Sequence, residues 1–217
     1  MVVTAIAALA LAAPPPRAFA RTVDNPWFPL RPGSTYVYRG EKDGEASRDV
    51  VRVTHATRLI AGVRATAVSD RLFIGGRLEE RTTDWYAQDR RGRVWYFGEA
   101  TAELDRKGRV TSREDSWLAG VHGAQAGIFM PAHPAVGGSF RQEYLKGHAA
   151  DHFSVLSVDA RVRTRIASTT HGLLTKEWTP LEPGVVDHKL YIRGVGLAVE
   201  RSITAGNERA TLVSFRR

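Results

Sequence analysis

The stretch that most constrains the fold is residues 82–99, TTDWYAQDRRGRVWYFGE. Two short runs rich in Trp, Tyr, Val and Phe flank a DRRG tetrapeptide. This pattern predicts a β-hairpin with a type I turn, in which Gly92 takes the position that needs a positive φ. Pairing Asp89 with Arg93 would then set the alternation of side chains along both strands.

The two faces of this hairpin differ in chemistry. One face is apolar and carries Trp85, Ala87, Trp95 and Phe97, with Trp85 expected beside Phe97. The other face is polar and aromatic and carries Asp84, Tyr86, Gln88, Val94 and Tyr96. Such strands are expected to be covered on both sides, so the hairpin belongs in the middle of a larger sheet.

Similar strands and turns recur along the chain. Alternating runs follow one another at short intervals, and turn signals separate them at residues 41–44, 75–76 and 105–108. This regular succession of strands and turns predicts one mainly β domain, an antiparallel meander of roughly ten strands in a single curled sheet.

Residues 112–138 depart from this succession of strands and turns, because they place large apolar residues between glycines and prolines. A connection of this length in a compact domain is usually functional or packed by its own side chains. We expect a long loop or short helices across the concave face of the sheet. The chain also contains a weak internal repeat, because PLRPGS at residues 29–34 resembles PAVGGS at residues 134–139. Two similar halves and a chance recurrence of turn residues are equally good explanations.

The N-terminal residues have the features of an export signal. Val2 to Ala13 is apolar, and Ala18-Phe19-Ala20 is an A-x-A cleavage pattern. The apolar run is shorter than the ~20 residues of a membrane-spanning helix. We expect a signal peptide at residues 1–20, cleavage after Ala20, and a single domain at residues 21–217 without a transmembrane segment. The expected location is secreted or extracytoplasmic, at the cell surface.

Composition removes several function classes. The chain has no cysteine, which excludes disulfides, thiolate metal sites and a cysteine nucleophile. Its formal net charge of +8 suggests an anionic partner. However, the basic residues are dispersed and only five of the 31 are lysine, whereas nucleic-acid sites are usually clustered. We therefore expect no nucleic-acid partner.

Several motifs resemble those of small exported bacterial proteins. KLYIRGVGLAVE at residues 189–200 resembles the closing segment of TapB-like and related domains of unknown function, and FPLRPGSTYVY at residues 28–38 resembles their opening. The central hairpin, AQAGIFMPA at residues 124–132 and EWTPLEPG at residues 177–184 resemble a narrower actinobacterial-type subset. The resemblance implies a LolA-like half-barrel, an antiparallel sheet curled into an unclosed barrel, and no established activity. Ile192-Arg193 departs from the Ala-Pro that this family prefers.

Motifs for catalysis or cofactor binding are missing. His148 and His152 have i, i+4 spacing, but on a strand they would lie about 13 Å apart, too far for one ion. The sequence has no G-x-S-x-G pentapeptide, phosphate loop or dinucleotide fingerprint. We expect no metal and no cofactor.

The remaining candidates are aromatic and acidic side chains. The residues that could line an apolar cavity are Trp85, Trp95, Phe97, Trp117, Phe129, Met130, Tyr144 and Trp178. The polar candidates are Asp84, Glu99 and Glu177. The sequence favours a non-enzymatic binding module for an apolar or amphipathic molecule, such as a lipid. A hydrolase that uses two carboxylates, and a structural or partner-binding envelope module, remain alternatives.

Overall fold

A computed structural model describes residues 12–217, so most of the apolar run Val2 to Ala13 lies outside the described residues. A short 3-10 helix, Pro16–Ala18, precedes the strands. The strands are β1 (Thr35–Lys42), β2 (Glu45–Ile60), β3 (Val63–Ile74), β4 (Arg77–Gln88), β5 (Val94–Leu104), β6 (Val110–Ser112), β7 (Trp117–Leu118), β8 (Gln125–Met130), β9 (Ser139–Arg141), β10 (Glu143–Tyr144), β11 (His152–Arg163), β12 (Ser168–Trp178), β13 (Val186–Ile192), β14 (Gly196–Thr204) and β15 (Arg209–Arg216).

All these strands belong to one antiparallel sheet, which confirms the predicted fold class. The main path runs β10-β8-β5-β4-β3-β2-β1-β15-β14-β13-β12-β11-β9, with β6 and β7 paired to β5. Strands β9 and β10 stand at the two ends of this path, yet only Gln142 separates them along the chain. The chain itself therefore joins the two edges, and the sheet is nearly closed into a barrel. It is more closed than the half-barrel that the resemblance implies.

The central hairpin has the predicted turn. Gly92 has a φ of 83° and donates its backbone N–H to the carbonyl of Asp89 at 2.9 Å. Ala87 lies opposite Trp95, as expected. The expected pairing of Trp85 with Phe97 is wrong by one residue, because the register shifts and Trp85 lies opposite Gly98.

Gly98 explains this shift in register. Its φ is 132°, a conformation that side-chain-bearing residues rarely adopt. A Cβ atom at this position would collide with the backbone oxygen of Trp117 in the neighbouring strand. The shift thus depends on a contact with β7, which the hairpin sequence alone does not contain.

Residues 112–138 contain the strands β7 and β8, where we expected a loop or short helices across the concave face. β7 and β8 both pair with β5 and extend the sheet. Only Phe129 of β8 lines the main internal cavity described below. The glycines of this segment serve strand pairing, since a Cβ at Gly127 would collide with the backbone oxygen of Arg141.

The weak internal repeat at residues 29–34 and 134–139 has a structural counterpart. Gly33 donates its N–H to the carbonyl of Val53 at 2.8 Å, and Gly137 donates to Val155 at 3.0 Å. Both glycines have positive φ, 91° and 83°. In return Val53 N–H donates to Ser34, and Val155 N–H donates to the residue after Gly137. These contacts make Gly33 equivalent to Gly137. Aligning Pro29 with Pro134 would instead pair Gly33 with Gly138, one residue further along.

Strand pairing extends this repeat to the whole barrel. β15 pairs with β1, at the start of the first half, and β8 pairs with β10, at the start of the second half. The last strand of each half therefore pairs with a strand at the start of the other half. This arrangement favours two similar halves over a chance recurrence of turn residues.

The residues just before Arg21 are part of the folded domain. The Phe19 ring packs edge-on against Trp95 and Phe97, with centroids 6.5 and 5.4 Å away. Ala20 N–H donates to Gln88, and Arg90 N–H donates to Ala18, each at 2.8 Å. No helix within residues 12–217 has the length and apolar character needed to span a membrane.

Candidate functional site

The main internal cavity has a volume of about 320 Å³ and lies between the two halves of the sheet. Side chains from β1 to β4, from β8 and from β13 to β15 line it, together with the entry segment at residues 28–30. Its size is at the lower end of the range of about 300–1,000 Å³ that is typical of small-molecule sites. The lining contains six carboxyl side chains but only two lysines and no arginine.

Three of these carboxyl groups form a diagonal row across neighbouring strands, here called the acidic row: Asp49, Asp70 and Asp84. Asp49 on β2 lies opposite Leu72, so Asp70 on β3 is its diagonal neighbour. Asp70 in turn lies opposite Thr82, which makes Asp84 on β4 the next diagonal neighbour. Diagonal neighbours on one face of a sheet are within reach of each other's side chains. The register of the sheet thus assembles the acidic row from three separate strands.

Burial and mutual repulsion disfavour the charged forms of the acidic row. Burial, and then the negative charge of Asp70, raise the pKa of Asp84 from 3.8 to about 7. Burial, followed by the adjoining Asp49 carboxyl, holds the pKa of Asp70 well above its usual range. Burial raises the pKa of Asp49 as well. Like-charged groups close together normally destabilise a sheet. The acidic row therefore lowers the stability of the fold, and packing alone does not explain its presence.

The two lysines of the cavity are already paired. Lys189 Nζ lies 2.8 Å from Glu177 and 3.2 Å from Glu200. Burial would lower the pKa of Lys189, but these two carboxylates outweigh burial and hold it well above its usual range. Lys42 lies 3.6 Å from Glu208, and both side chains are 38% exposed, which places this pair where the cavity meets solvent. None of the ion pairs within residues 12–217 includes a member of the acidic row.

An aromatic wall, formed by Phe28, Tyr86 and Phe129, borders the acidic row. The ring centroids of these three residues are 4.6 to 5.1 Å apart. Tyr86 follows Asp84 by two residues on β4, so the two side chains share one face of the strand. The cavity therefore offers an apolar, polarizable surface next to carboxyl groups.

A second cavity, also of about 320 Å³, is more polar and more open, and it adjoins the main cavity, since Glu80 lines both. Its lining includes Glu99, Glu143, Asp151 and His148. Burial, and then the charge of Asp84, raise the pKa of Glu99 to about 8, and burial with Asp151 raises that of Glu143 to about 9. Within residues 12–217, no cluster of His, Asp and Glu has the geometry to hold a metal ion.

The structure distributes the aromatic candidates over several environments. Phe129 lines the main cavity, and Trp117 packs edge-on against Tyr96 on the same face of β5. Trp85, Trp95 and Phe97 lie on the opposite face of the sheet, as the alternation along β4 and β5 requires. The other candidates, none of which lines the main cavity, are Met130, Tyr144 and Trp178.

The candidates outside the main cavity make contacts that stabilise the fold. Arg58 lies over the Trp85 ring at 4.6 Å, and Trp95 Nε1 donates to Asp89 at 3.0 Å. Met130 is fully buried opposite Val94. The last two are half-buried: Tyr144 lies beneath Arg141 at 4.6 Å, and Trp178 stacks on His152 at 5.6 Å.

The three polar candidates also separate. Asp84 belongs to the main cavity, where its carboxylate accepts a hydrogen bond from the Tyr96 hydroxyl at 2.6 Å. Glu99 faces the second cavity and accepts from Thr101 at 2.8 Å. Glu177 is buried beneath the main cavity as a partner of Lys189.

Other cavity residues were not among the sequence candidates. They include Phe28, Tyr36, Tyr38, Asp49, Asp70, Lys189 and Glu200. The alternation Thr35-Tyr36-Val37-Tyr38 is a signal that could have indicated two tyrosines on one face. No local pattern marks Asp49 or Asp70, because their proximity depends on the pairing of β2 with β3.

Comparisons with known proteins identify the fold and leave the function open. No protein-family model matches this chain. No curated protein matches its sequence. A solved structure from Bacteroides fragilis, described as a candidate exported protein with a YmcC-like fold, matches with a TM-score of 0.50 and 12% identity over 88% of this chain and 99% of its own. A candidate lipoprotein from Parabacteroides distasonis has a TM-score of 0.41 and 9% identity over 88% and 98% of the two chains. The first likeness shows that this chain has the fold of the Bacteroides protein.

Proposed function

We propose that this chain is an exported binding protein whose barrel interior holds an amphipathic small molecule. The observation that carries this proposal is the main cavity, where the aromatic wall and the acidic row lie side by side. An apolar part of a ligand would pack on Phe28, Tyr86 and Phe129, and a polar part would contact the carboxyl groups. No motif for nucleophilic or metal-dependent catalysis accompanies the cavity among the described residues.

Energetics supports a ligand of moderate size. Burial of each CH₂ group contributes about 0.8 kcal/mol, so eight carbons contribute about 6 kcal/mol. That gain is comparable with the lower estimates, about 4 kcal/mol, for the free energy lost when two molecules associate. The cavity volume limits how much of a long chain could be enclosed, so we expect a short-chain amphiphile or one end of a lipid.

The extracytoplasmic location is part of the proposal. The apolar run Val2 to Ala13 supports export. The fold shared with a candidate exported protein agrees with this location. The resemblance to TapB-like and LolA-like domains points the same way and remains a prediction.

A cavity-filling substitution tests the proposal. Ala210 on β15 lines the main cavity, and Ala210→Phe would occupy part of its volume. We expect wild-type protein to enhance the fluorescence of 1-aminoanthracene, an uncharged dye, and Ala210→Phe to weaken dye affinity by about tenfold or more, equivalent to about 1.4 kcal/mol.

Ala46→Phe is the matched control, because Ala46 is an exposed residue on β2 outside the cavity lining. It should leave dye affinity unchanged. The proposal fails if the wild type does not bind the dye, or if the two variants weaken binding equally while both remain folded by circular dichroism.

A further inference from the structure

The charge distribution inside the cavity opposes that of the whole molecule. The chain carries a formal net charge of +8, with basic residues dispersed along its length. The cavity lining, by contrast, contains six carboxyl groups against two lysines. At long range the protein should therefore attract anions, whereas a molecule inside the barrel meets mainly carboxyl groups.

The ion pairs of the cavity strengthen this contrast between its lysines and its carboxyl groups. Lys189 and Lys42 are each held by carboxylates, so neither is left to meet an anionic ligand. The acidic row is the reverse case, because no lysine or arginine within residues 12–217 forms an ion pair with it. No basic group of the described residues therefore compensates the acidic row, and a bound cation would favour its ionised form.

A separate observation also indicates a missing partner. Among the described residues, the buried Oδ1 atom of Asp49 has no hydrogen-bond partner, and the hydrogen bond that the Asp49 side chain does make is to another acid, Asp70. A buried carboxylate oxygen without a donor is costly, and native proteins rarely leave one without a reason. An ammonium group supplies both a positive charge and, when it carries N–H, the donor that this oxygen lacks.

The aromatic wall suits the same ligand chemistry. Aromatic faces attract cations within about 6 Å of the ring centroid, and aromatic rings are the usual recognition elements for quaternary ammonium groups. Tyr86 and Asp84 share one face of β4, which brings the two kinds of group together.

We propose that the cavity selects amphiphiles with a cationic, ammonium-type head group, which binds at Asp49, Asp70 and Asp84 while the apolar tail packs on the aromatic wall. This inference rests on the proposed binding function and specifies the ligand class. It runs against an anionic lipid or fatty acid as the ligand, since a carboxylate or phosphate head would face the acidic row. A structural role for the row would predict no preference for ligand charge.

Three competitors with the same eight-carbon chain test the proposal on wild-type protein. Octyltrimethylammonium, octan-1-ol and octanoate are titrated below their aggregation concentrations against bound 1-aminoanthracene. We expect octyltrimethylammonium to displace the dye at a concentration about tenfold or more below that of octan-1-ol, with octanoate weakest. Equal or stronger displacement by octanoate, while the dye still binds, would overturn the charge selection and leave the proposed binding function standing. Absence of dye binding would overturn both.

Substitutions then assign the selection to the acidic row. The double variant Asp70→Asn and Asp84→Asn keeps the shape of both side chains and prevents either from ionising beside a bound cation. It should lose the preference for octyltrimethylammonium over octan-1-ol while retaining dye binding. The control is Asp43→Asn, which removes one negative charge from an exposed turn between β1 and β2 and should change nothing. An unaltered preference in the double variant would contradict the assignment, and the wild-type titration decides the charge selection independently of how that variant folds.

Discussion

At the residue scale, Asp89 shows how one side chain fixes a hairpin. Its carboxylate accepts hydrogen bonds from the backbone N–H groups of Arg91 and Arg93 at 2.9 and 3.0 Å, and from Arg93 Nε at 2.7 Å. It also accepts one from the indole of Trp95. Asp105 makes the same backbone contacts in an exposed turn, which shows that the turn chemistry is local. Only at Asp89 does the turn connect to the buried core.

Trp95→Ala tests which face of the sheet supports stability. Trp95 is fully buried on the face away from the main cavity, so its loss leaves a void and orphans the Asp89 contact. We expect a loss of about 3–5 kcal/mol in the free energy of unfolding, measured by urea denaturation. Dye affinity of the remaining folded protein should be unchanged.

Trp178→Ala is the comparison, because Trp178 is half-buried and stacks on His152 at the surface. Its effect on stability should be clearly smaller. If Trp95→Ala abolished dye binding in protein that is still folded, the ligand would bind on the Trp95 face and the main cavity would not be the site.

At the element scale, the short segment from Pro16 to Ala20 acts as a strap across the outside of the hairpin. Phe19 packs on Trp95 and Phe97, Pro16 touches Gly62 at the β2–β3 turn, and two backbone hydrogen bonds attach it to β4 and the following turn. Cleavage after Ala20 would remove all of these contacts, including the hydrogen bond from Ala20 to Gln88. The structure therefore favours retention of this segment.

We predict that a chain starting at Pro16 is more stable than one starting at Arg21. The lost Phe19 burial and backbone hydrogen bonds should lower the free energy of unfolding by about 2–3 kcal/mol. Urea denaturation of the two chains gives the difference. Intact mass of protein released by its own host gives the natural N-terminus, which we expect upstream of Pro16. Equal stability of the two chains, or a natural start at Arg21, would contradict this role of the strap.

At the scale of the whole molecule, buried acids make stability depend on pH in an unusual direction. The pKa values of Asp84, Glu99 and Glu143 rise to about 7, 8 and 9, so the folded state holds protons that the unfolded state releases at lower pH. Asp70 and Glu80 reinforce the shift at Asp84, and the Tyr96 hydrogen bond opposes it. The free energy of unfolding should therefore fall as pH rises from about 4 to about 9.

Thermal unfolding at pH 5 and pH 8 measures this dependence. We expect a lower Tm at pH 8, with each 1 kcal/mol lost corresponding to about 2–4 °C for a chain of this size. Asp84→Asn should reduce the difference, because it removes one of the groups that must lose a proton. A Tm that is higher at pH 8 would show that these acids are charged in the folded protein.

Much of the fold could be predicted from the sequence. Turn residues such as Gly92 and the alternation in residues 82–99 specify local conformation, which depends on neighbouring residues only. The long segment at residues 112–138 could not be assigned in the same way. Its strands form because β5 offers an edge with free hydrogen-bonding groups, and an edge is a property of the assembled sheet.

The sequence by itself determined an antiparallel β domain, the two-faced hairpin, an apolar N-terminal run and the absence of cysteine chemistry. Its candidates included two residues of the main cavity: Asp84, which lies on a strand with a clear alternation, and Phe129, one of the large apolar residues in the segment at residues 112–138. The tertiary structure alone decided that Asp49, Asp70 and Asp84 meet, that Trp95 and Phe97 lie outside the cavity, and that the edges of the sheet join through Gln142. The physical reason is that strand register and sheet closure are set by pairing between residues far apart in the chain, so a side chain's neighbours across strands have no local signature.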